Sequence, residues 1–127
     1  AQEMALEYVP QRETFGAPLS SRQSIQWMLV DNEIDIKQSL WITLEAAAKA
    51  ERGENFRKEA AMAKLVATEA GGRVVDRCMQ MFGGLGVAKD LPFERWFREM
   101  RIRRIGEGPS EVQRHVIARE LLGSSLR

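Results

Sequence analysis

The residue of this sequence best suited to chemistry is Glu107, which stands between Gly106 and Gly108. Glycines on both sides let the backbone come close to a ligand, and a loop carboxylate can project into a cleft. A glutamate that loses its water when a ligand binds becomes a competent general base. The alternative is an exposed loop carboxylate with no chemical role. Proton abstraction is therefore the first chemistry to test.

Composition limits the other classes of function. The chain has 127 residues, the usual size of one domain, and 19 Lys and Arg against 18 Asp and Glu give a formal net charge of +1. This near-balance of charge gives no strong positive potential of the kind that marks nucleic-acid or membrane binders. One cysteine, Cys78, and one histidine, His115, predict no metal cluster, and no apolar run is long enough to span a bilayer. Because Ala1 opens directly into a helical pattern, we expect a chain cut from a longer one.

Proline and glycine divide the chain into helical segments that would position Glu107. The predicted helices cover residues 1–13, 21–52, 55–82, 92–101 and 110–122, with a loop over 14–20. Gly53 suits a left-handed C-cap of the second helix, and Asn55 can cap the third. Ser110 and Gln113 match a capping box for the last helix. No strand pattern appears.

Apolar residues recur at helical spacing along both long segments. In the second helix the predicted stripe is Ile25, Met28, Leu29, Asn32, Ile36, Leu40, Thr43 and Ala47. In the third helix it is Ala61, Leu65, Thr68, Gly72, Val75, Met79 and Phe82. The fourth helix has Phe93, Trp96, Phe97 and Met100 on its apolar side. The pattern predicts an all-α, antiparallel (up-and-down) four-helix bundle with shorter helices packed across two long ones.

Four motifs in order resemble the C-terminal helical domain of acyl-CoA dehydrogenases and cover nearly the whole chain. They are Gln11 to Leu19 followed by Gln23, Ala61 to Lys64, Gln80 to Gly86, and Ile105 to Arg114. The resemblance implies one domain over residues 1–127, with the N-terminal helical and middle β domains of the family absent from this chain. The isolated domain should then lack most of the acyl and flavin pocket.

The resemblance also implies roles for the Glu107 loop. In the family, the Glu of this motif removes the pro-R α-proton of an acyl-CoA thioester while a hydride leaves the β-carbon for FAD, giving a trans-2-enoyl-CoA. Hydrogen bonds to the thioester carbonyl stabilise the developing enolate, one of them from the backbone N–H of the same Glu. Glu107 is thus predicted to be catalytic, and Gly108 to lie against the substrate.

The FAD contacts implied by the resemblance are more widely spread along the chain. Gln80, Gly83 and Gly84 correspond to contacts with the ADP portion of an FAD bound mainly by a neighbouring subunit. Arg12 and Thr14 correspond to pyrophosphate contacts, with Gln23 nearby. An arginine forms charge-assisted bonds to phosphate, whereas a helix C-cap and tight turn is the simpler explanation of the glycines.

Two residues depart from the pattern of many family members, which have Thr and Gln after the Glu-Gly pair. Pro109 offers neither a hydroxyl nor an N–H to the flavin, and Glu111 would repel a phosphate. We expect the Ser110 hydroxyl or the N-terminus of the last helix to replace these contacts. Because the Gly-Pro variant also occurs in branches of the family with unusual substrates, the resemblance does not imply an ordinary fatty acyl chain.

The partners implied by the resemblance are an acyl-CoA, FAD, further copies in a homodimer or homotetramer, and an electron-transfer flavoprotein or similar acceptor. A bacterial cytoplasm or a mitochondrial matrix fits these partners. The arginines at 95, 98, 101, 103 and 104 are interspersed with Glu94 and Glu99, so we predict salt bridges or phosphate contacts and no nucleic acid. The alternatives are an acyl-CoA oxidase-type relative and a bundle that serves only for oligomerisation or partner binding.

Overall fold

The computed structural model describes residues 1–125 and is built mainly from helices. In chain order the elements are α1 (Gln2–Tyr8), β1 (Glu13–Thr14), β2 (Ala17–Pro18), a 3-10 turn (Leu19–Ser21), α2 (Gln23–Glu51), α3 (Arg57–Phe82), α4 (Gly84–Val87), α5 (Phe93–Arg103), α6 (Ser110–Leu122) and a second 3-10 turn (Gly123–Ser125). The predicted all-α class is confirmed, with α2, α3, α5 and α6 as the four larger helices.

The two long helices run antiparallel because a tight turn reverses the chain at Gly53. Gly53 has a φ of 69°, its N–H donates to the Ala50 carbonyl, and the Glu54 N–H donates to the Lys49 carbonyl. These two bonds form a Schellman motif, as the glycine predicted. Asn55 Oδ1 then accepts a hydrogen bond from the Arg57 N–H at 3.2 Å, which supports the first turn of α3.

Helix α3 is the central element, and α1, α2, α5 and α6 all pack against it. The main apolar core lies at its C-terminal end. It consists of Ala5, Val9, Val74, Cys78, Met81, Phe82 and Phe93. The core therefore fixes the end of α3, where the glycine-rich turn follows, while the N-terminal half of α3 supports α6 and the Glu107 loop.

The predicted stripe on α2 is wrong in its C-terminal half. Ile36 and Leu40 are exposed, and the residues of α2 buried against α3 include Asn32 and Asp35. Arg77 of α3 explains this rotation, because it donates to Asn32 at 3.2 Å and to Asp35 at 2.7 Å. Polar pairing therefore sets the orientation of α2 and leaves much of its apolar surface outward.

Two other expectations were wrong. Residues 13–18 form a short antiparallel hairpin in which Glu13 pairs with Pro18 and Thr14 with Ala17. The connecting residues have φ values of 51° and 74°, as in a two-residue type I′ turn, and strands of two residues carry no readable alternation. Phe97 of α5 is 45% exposed, so it does not belong to the described core.

Candidate active site and cofactor cleft

Glu107 lies in the loop between α5 and α6, in an unusual backbone conformation. Its φ is 54°, one of two positive values among the non-glycine residues described, and the following Gly108 has a φ of 91°. Left-handed backbone is costly for residues with a Cβ and accumulates at functional sites. At Gly108 a Cβ would also meet Gln113 Nε2 at 2.6 Å, so a larger residue would displace the Gln113 side chain.

Side chains from two helices hold this loop. The Gly108 carbonyl accepts a hydrogen bond from Lys64 Nζ of α3 at 2.6 Å and another from Gln113 Nε2 of α6 at 3.0 Å. The predicted capping box is therefore wrong, because the Gln113 side chain bonds to Gly108. The Ser110 hydroxyl instead donates to Glu69 Oε1 of α3 at 2.7 Å.

Glu69 connects the two ends of the loop. Besides Ser110, which follows the loop, it pairs with Arg104, which precedes it, at 2.8 Å. Partial burial alone would raise the pKa of Glu69, but the hydrogen bonds from Ser110 and Arg104 outweigh it and hold that pKa below its usual range. Glu69 is consequently a stable anion and a stable acceptor for both partners.

The Glu107 loop borders an open cleft of about 480 Å³. It is lined by Lys64, Thr68, Glu99, Ile102, Arg103, Gly106 and Glu107. Glu107 itself is exposed, so the burial that would strengthen it as a base is not provided by residues 1–125.

A second cleft, of about 510 Å³, brings together most of the predicted FAD residues. Arg12, Thr14, Gln80, Gly83 and Gly84 all line it. Residues far apart in sequence meet here because the hairpin after α1 lies beside the C-terminal end of α3. Gly83 has a φ of 61°, which lets the chain leave α3 and begin α4 at once.

An aromatic stack fixes the two sides of this cleft, which we call the glycine-turn cleft. The rings of Tyr8 and Phe82 are stacked with centroids 4.0 Å apart, and Phe82 in turn contacts Phe93 at 4.6 Å. Within residues 1–125 the Arg12 guanidinium has no ion-pair partner, so its charge is available to an anionic ligand. The donors and the open glycine backbone suit a diphosphate.

Two predicted cofactor residues lie elsewhere. Gln23 is the exposed first residue of α2 and does not line the glycine-turn cleft. Ser110 is 4% exposed and bonded to Glu69, so it faces α3. The structure therefore groups five of the seven predicted FAD residues and separates the other two. Their roles toward FAD remain predictions.

The remaining polar candidates behave as structural residues. Arg95 pairs with Glu99 at 3.6 Å, and Arg98 pairs with Glu94, in agreement with the salt bridges predicted for α5. Cys78 is fully buried, and this burial raises the pKa of its thiol. Within the described part of the chain no group of acidic, histidine or cysteine side chains could hold a metal, and no helix is long and apolar enough to cross a membrane.

Sequence reasoning missed Lys64 and Glu69 as residues that support the site. Both lie on α3, 44 and 41 residues before their partners Gly108 and Ser110, so no local spacing connects them. Lys64 did stand in one of the four motifs, directly after Ala61, Met62 and Ala63. A charged residue beside a stripe of small core residues was the available signal.

Comparison with known proteins agrees with this geometry. A family model described as acyl-CoA dehydrogenase, C-terminal domain, matches residues 1–122. The chain belongs to the acyl-CoA dehydrogenase C-terminal domain family. The resemblance drawn from the four motifs is thereby confirmed.

Three similar proteins illustrate the match. The chain is 43% identical over 124 residues to the mitochondrial short-chain specific acyl-CoA dehydrogenase of Bos taurus, covering 98% of this chain and 30% of the relative. It superposes on butyryl-CoA dehydrogenase from Megasphaera elsdenii with a TM-score of 0.92 and 38% identity, covering 95% and 32% of the two chains. The FAD complex of PigA gives a TM-score of 0.91 and 28% identity, covering 94% and 31%. The chain thus spans about a third of the relatives' length.

Proposed function

We propose that this chain is the C-terminal helical domain of a flavin-dependent acyl-CoA dehydrogenase that converts an acyl-CoA thioester to a trans-2-enoyl-CoA. The observation that carries the proposal is the position of Glu107, a left-handed loop carboxylate beside an open cleft of about 480 Å³. Membership of the dehydrogenase family supports it. The N-terminal helical and middle β domains that the family adds would lie outside this chain.

In this reaction the Glu107 carboxylate accepts the α-proton of the thioester. The electron pair left at the α-carbon forms the new double bond as hydride leaves the β-carbon, and bound FAD supplies the hydride acceptor. The backbone N–H of Glu107 donates to the thioester carbonyl oxygen and stabilises the charge that develops there. Gly108 lets the backbone lie close to the substrate because it has no side chain.

The glycine-turn cleft fits the diphosphate portion of FAD. Arg12 offers a guanidinium without a partner among residues 1–125, and Thr14 and Gln80 add polar side chains on either side. Apart from its own neighbours in the chain, Gly84 has nothing within 4 Å of where a Cβ would stand, so this side of the backbone is open to a ligand. The FAD complex of PigA, which has the same domain fold, supports this assignment. Gln23 and Ser110 stay more distant candidates.

Oligomerisation is proposed from the outer face of α2. Trp27 and Trp41 are 61% and 67% exposed, and Val30 and Ile34 between them are exposed as well. These residues recur at helical spacing on one side of α2, and large exposed apolar patches mark interaction sites. We therefore propose that a homodimer or homotetramer buries this face of α2. A strictly monomeric complete enzyme in light scattering at high concentration would contradict it.

The same outer face supports the second candidate, a bundle that serves only for assembly. The presence of bound flavin distinguishes the two candidates, because an assembly module needs no FAD and has no substrate for Glu107.

For the dehydrogenase we propose an electron-transfer flavoprotein or similar protein as the electron acceptor. The mitochondrial relative and the bacterial one support a matrix or cytoplasmic location.

The test is anaerobic mixing of the complete enzyme with a panel of acyl-CoAs while the flavin absorbance is followed. Loss of the oxidised-flavin band identifies the accepted acyl chain. Glu107→Gln keeps the shape of the side chain but removes its basicity, so flavin reduction should slow by about 10²- to 10⁴-fold. Bleaching at the wild-type rate in Glu107→Gln would place the base elsewhere, and the absence of flavin would favour the assembly module.

A further inference from the structure

The Glu107 loop adopts a conformation that must be held by its surroundings. Glu107 and Gly108 are consecutive residues with positive φ, 54° and 91°. The left-handed region is unfavourable for an L-residue that carries a Cβ. Within the loop, short-range bonds from the Ile105 and Gly106 N–H groups to the Ile102 carbonyl extend the end of α5. A third bond, from the Ser110 N–H to the Arg104 carbonyl at 3.2 Å, closes the loop across Glu107. None of these bonds is made by Glu107 itself, so contacts from outside the loop also support its conformation.

Those contacts come largely from two charged residues of α3. Lys64 Nζ donates to the Gly108 carbonyl at 2.6 Å, directly after Glu107. Glu69 receives the Ser110 hydroxyl at 2.7 Å and the Arg104 guanidinium at 2.8 Å. One residue therefore holds the middle of the loop and the other holds both ends.

The charges make these contacts stronger than neutral ones. A hydrogen bond with one charged partner is roughly twice as strong as one between neutral groups. Lys64 and Glu69 are both only partly exposed, so water competes with them incompletely. Pro109 adds rigidity because its ring fixes its own φ and removes an N–H that would otherwise need a partner.

We propose that Lys64 and Glu69 form a clamp that positions the Glu107 loop for proton abstraction. The clamp rests on the proposed role of Glu107, and both members are positioning residues that act through the loop. Their function is to keep the Glu107 carboxylate close to the α-proton of the substrate while the Glu107 backbone N–H stays close to the thioester carbonyl oxygen. A misplacement of about 1 Å at a reacting group can lower a rate by about 10²-fold.

The first test measures loop order in the 127-residue chain by hydrogen exchange, without substrate or FAD. The reporting amides are Ile105, Gly106 and Ser110, whose N–H groups are bonded to backbone carbonyls. Lys64→Met removes the donor and keeps the length of the side chain. We expect exchange at these amides to rise about 10- to 100-fold, the equivalent of one charged hydrogen bond. Lys64→Arg should restore protection.

A matched control is Lys37→Met, which removes an exposed lysine of α2 far from the loop in sequence. It should leave exchange at the three amides unchanged. Protection in Lys64→Met equal to the wild type would overturn the clamp. Loss of protection throughout the bundle in Lys64→Met would also overturn it, because the residue would then support the whole fold.

The second test measures flavin reduction in the complete enzyme. Lys64→Met should lower kcat about 10- to 100-fold with little change in KM, and Lys64→Arg should recover most of the rate. A wild-type rate in Lys64→Met beside an inactive Glu107→Gln would overturn the clamp and keep the proposed base. If Glu107→Gln retains full activity, the proposed base is wrong and a clamp that serves proton abstraction is overturned with it, whatever the exchange measurement shows about loop order.

Discussion

The carboxylate of Asp35 in α2 forms a bidentate ion pair with the guanidinium of Arg73 in α3. Its Oδ1 accepts from Nη2 at 2.6 Å and its Oδ2 from Nε at 3.1 Å. The bond from Arg73 holds the pKa of Asp35 below its usual range, against the opposing effect of burial, and Arg77 contributes further. This pair orients α2 with a polar face toward α3, which explains why tryptophans face outward.

Replacing Asp35 with Asn should therefore destabilise the bundle. The amide keeps the shape of the side chain but leaves two arginines without an anionic partner. Because the Arg73 side chain is half exposed, we expect a loss of about 1–3 kcal/mol, below that of a fully buried pair. Urea denaturation followed by helical circular dichroism measures it. Asp76→Asn, on the exposed side of α3, is the control, and equal effects of the two changes would contradict the account.

The pair between Glu59 and Lys49 predicts a pH dependence of stability. A hydrogen bond from Lys49 at 2.7 Å, assisted by a backbone N–H, lowers the pKa of Glu59 to about 2. Since this value is below the ordinary 4.5, the stabilisation is complete above pH 4.5 and is lost as the pH falls toward 2. The difference in unfolding free energy between wild type and Glu59→Gln should shrink over that range.

Denaturation curves across a pH series measure this difference, with Lys49→Met as the matched partner variant. In the Lys49→Met background, Glu59→Gln should show a much weaker pH dependence because the main cause of the low pKa is gone. A difference that stays constant from pH 5 to pH 2 would show that Glu59 is not held as a low-pKa carboxylate.

Substitutions at the adjacent glycines of the glycine-turn cleft test folding and the proposed FAD contact separately. Gly83 has a φ of 61°, so Gly83→Ala should cost about 1–3 kcal/mol of stability. Gly84 has open space where a Cβ would stand, so Gly84→Ala should change stability by no more than about 0.5 kcal/mol. If FAD lies against Gly84, the added methyl group should lower the FAD content of the complete enzyme.

Thermal denaturation of both variants and the ratio of flavin to protein absorbance provide the two measurements. A stable Gly84→Ala enzyme with full FAD content would remove Gly84 from the cofactor site. Gly83→Ala serves as the reference for a change that acts through the backbone.

The helices were predictable because their apolar periodicity and their glycine and proline boundaries are local properties. Gly53 is an example, since one residue specified both the end of α2 and the reversal of the chain. The orientation of α2 was not predictable, because it depends on the match between Asp35 and an arginine 38 residues away. Ile36 and Leu40 continued a good apolar stripe and yet stay exposed.

The residues of the candidate site could be predicted only where they belong to one of the four motifs. Arg12 and Gly84 are 72 positions apart in the sequence, and only the resemblance grouped them before the structure placed them in one cleft. Ser110 shows the limit of such reasoning. Its local pattern with Gln113 predicted a capping box, but Glu69 of α3 and Gly108 offered those side chains better partners.

The central claim, that Glu107 is the base, is tested most directly by exchange of the α-proton. The complete enzyme is incubated with an acyl-CoA in D₂O, and deuterium at the α-carbon is measured by mass spectrometry. We predict rapid incorporation with the wild-type enzyme and a rate about 10²- to 10⁴-fold lower with Glu107→Gln at equal FAD content. Equal incorporation by the two enzymes would contradict the assignment of the base to Glu107.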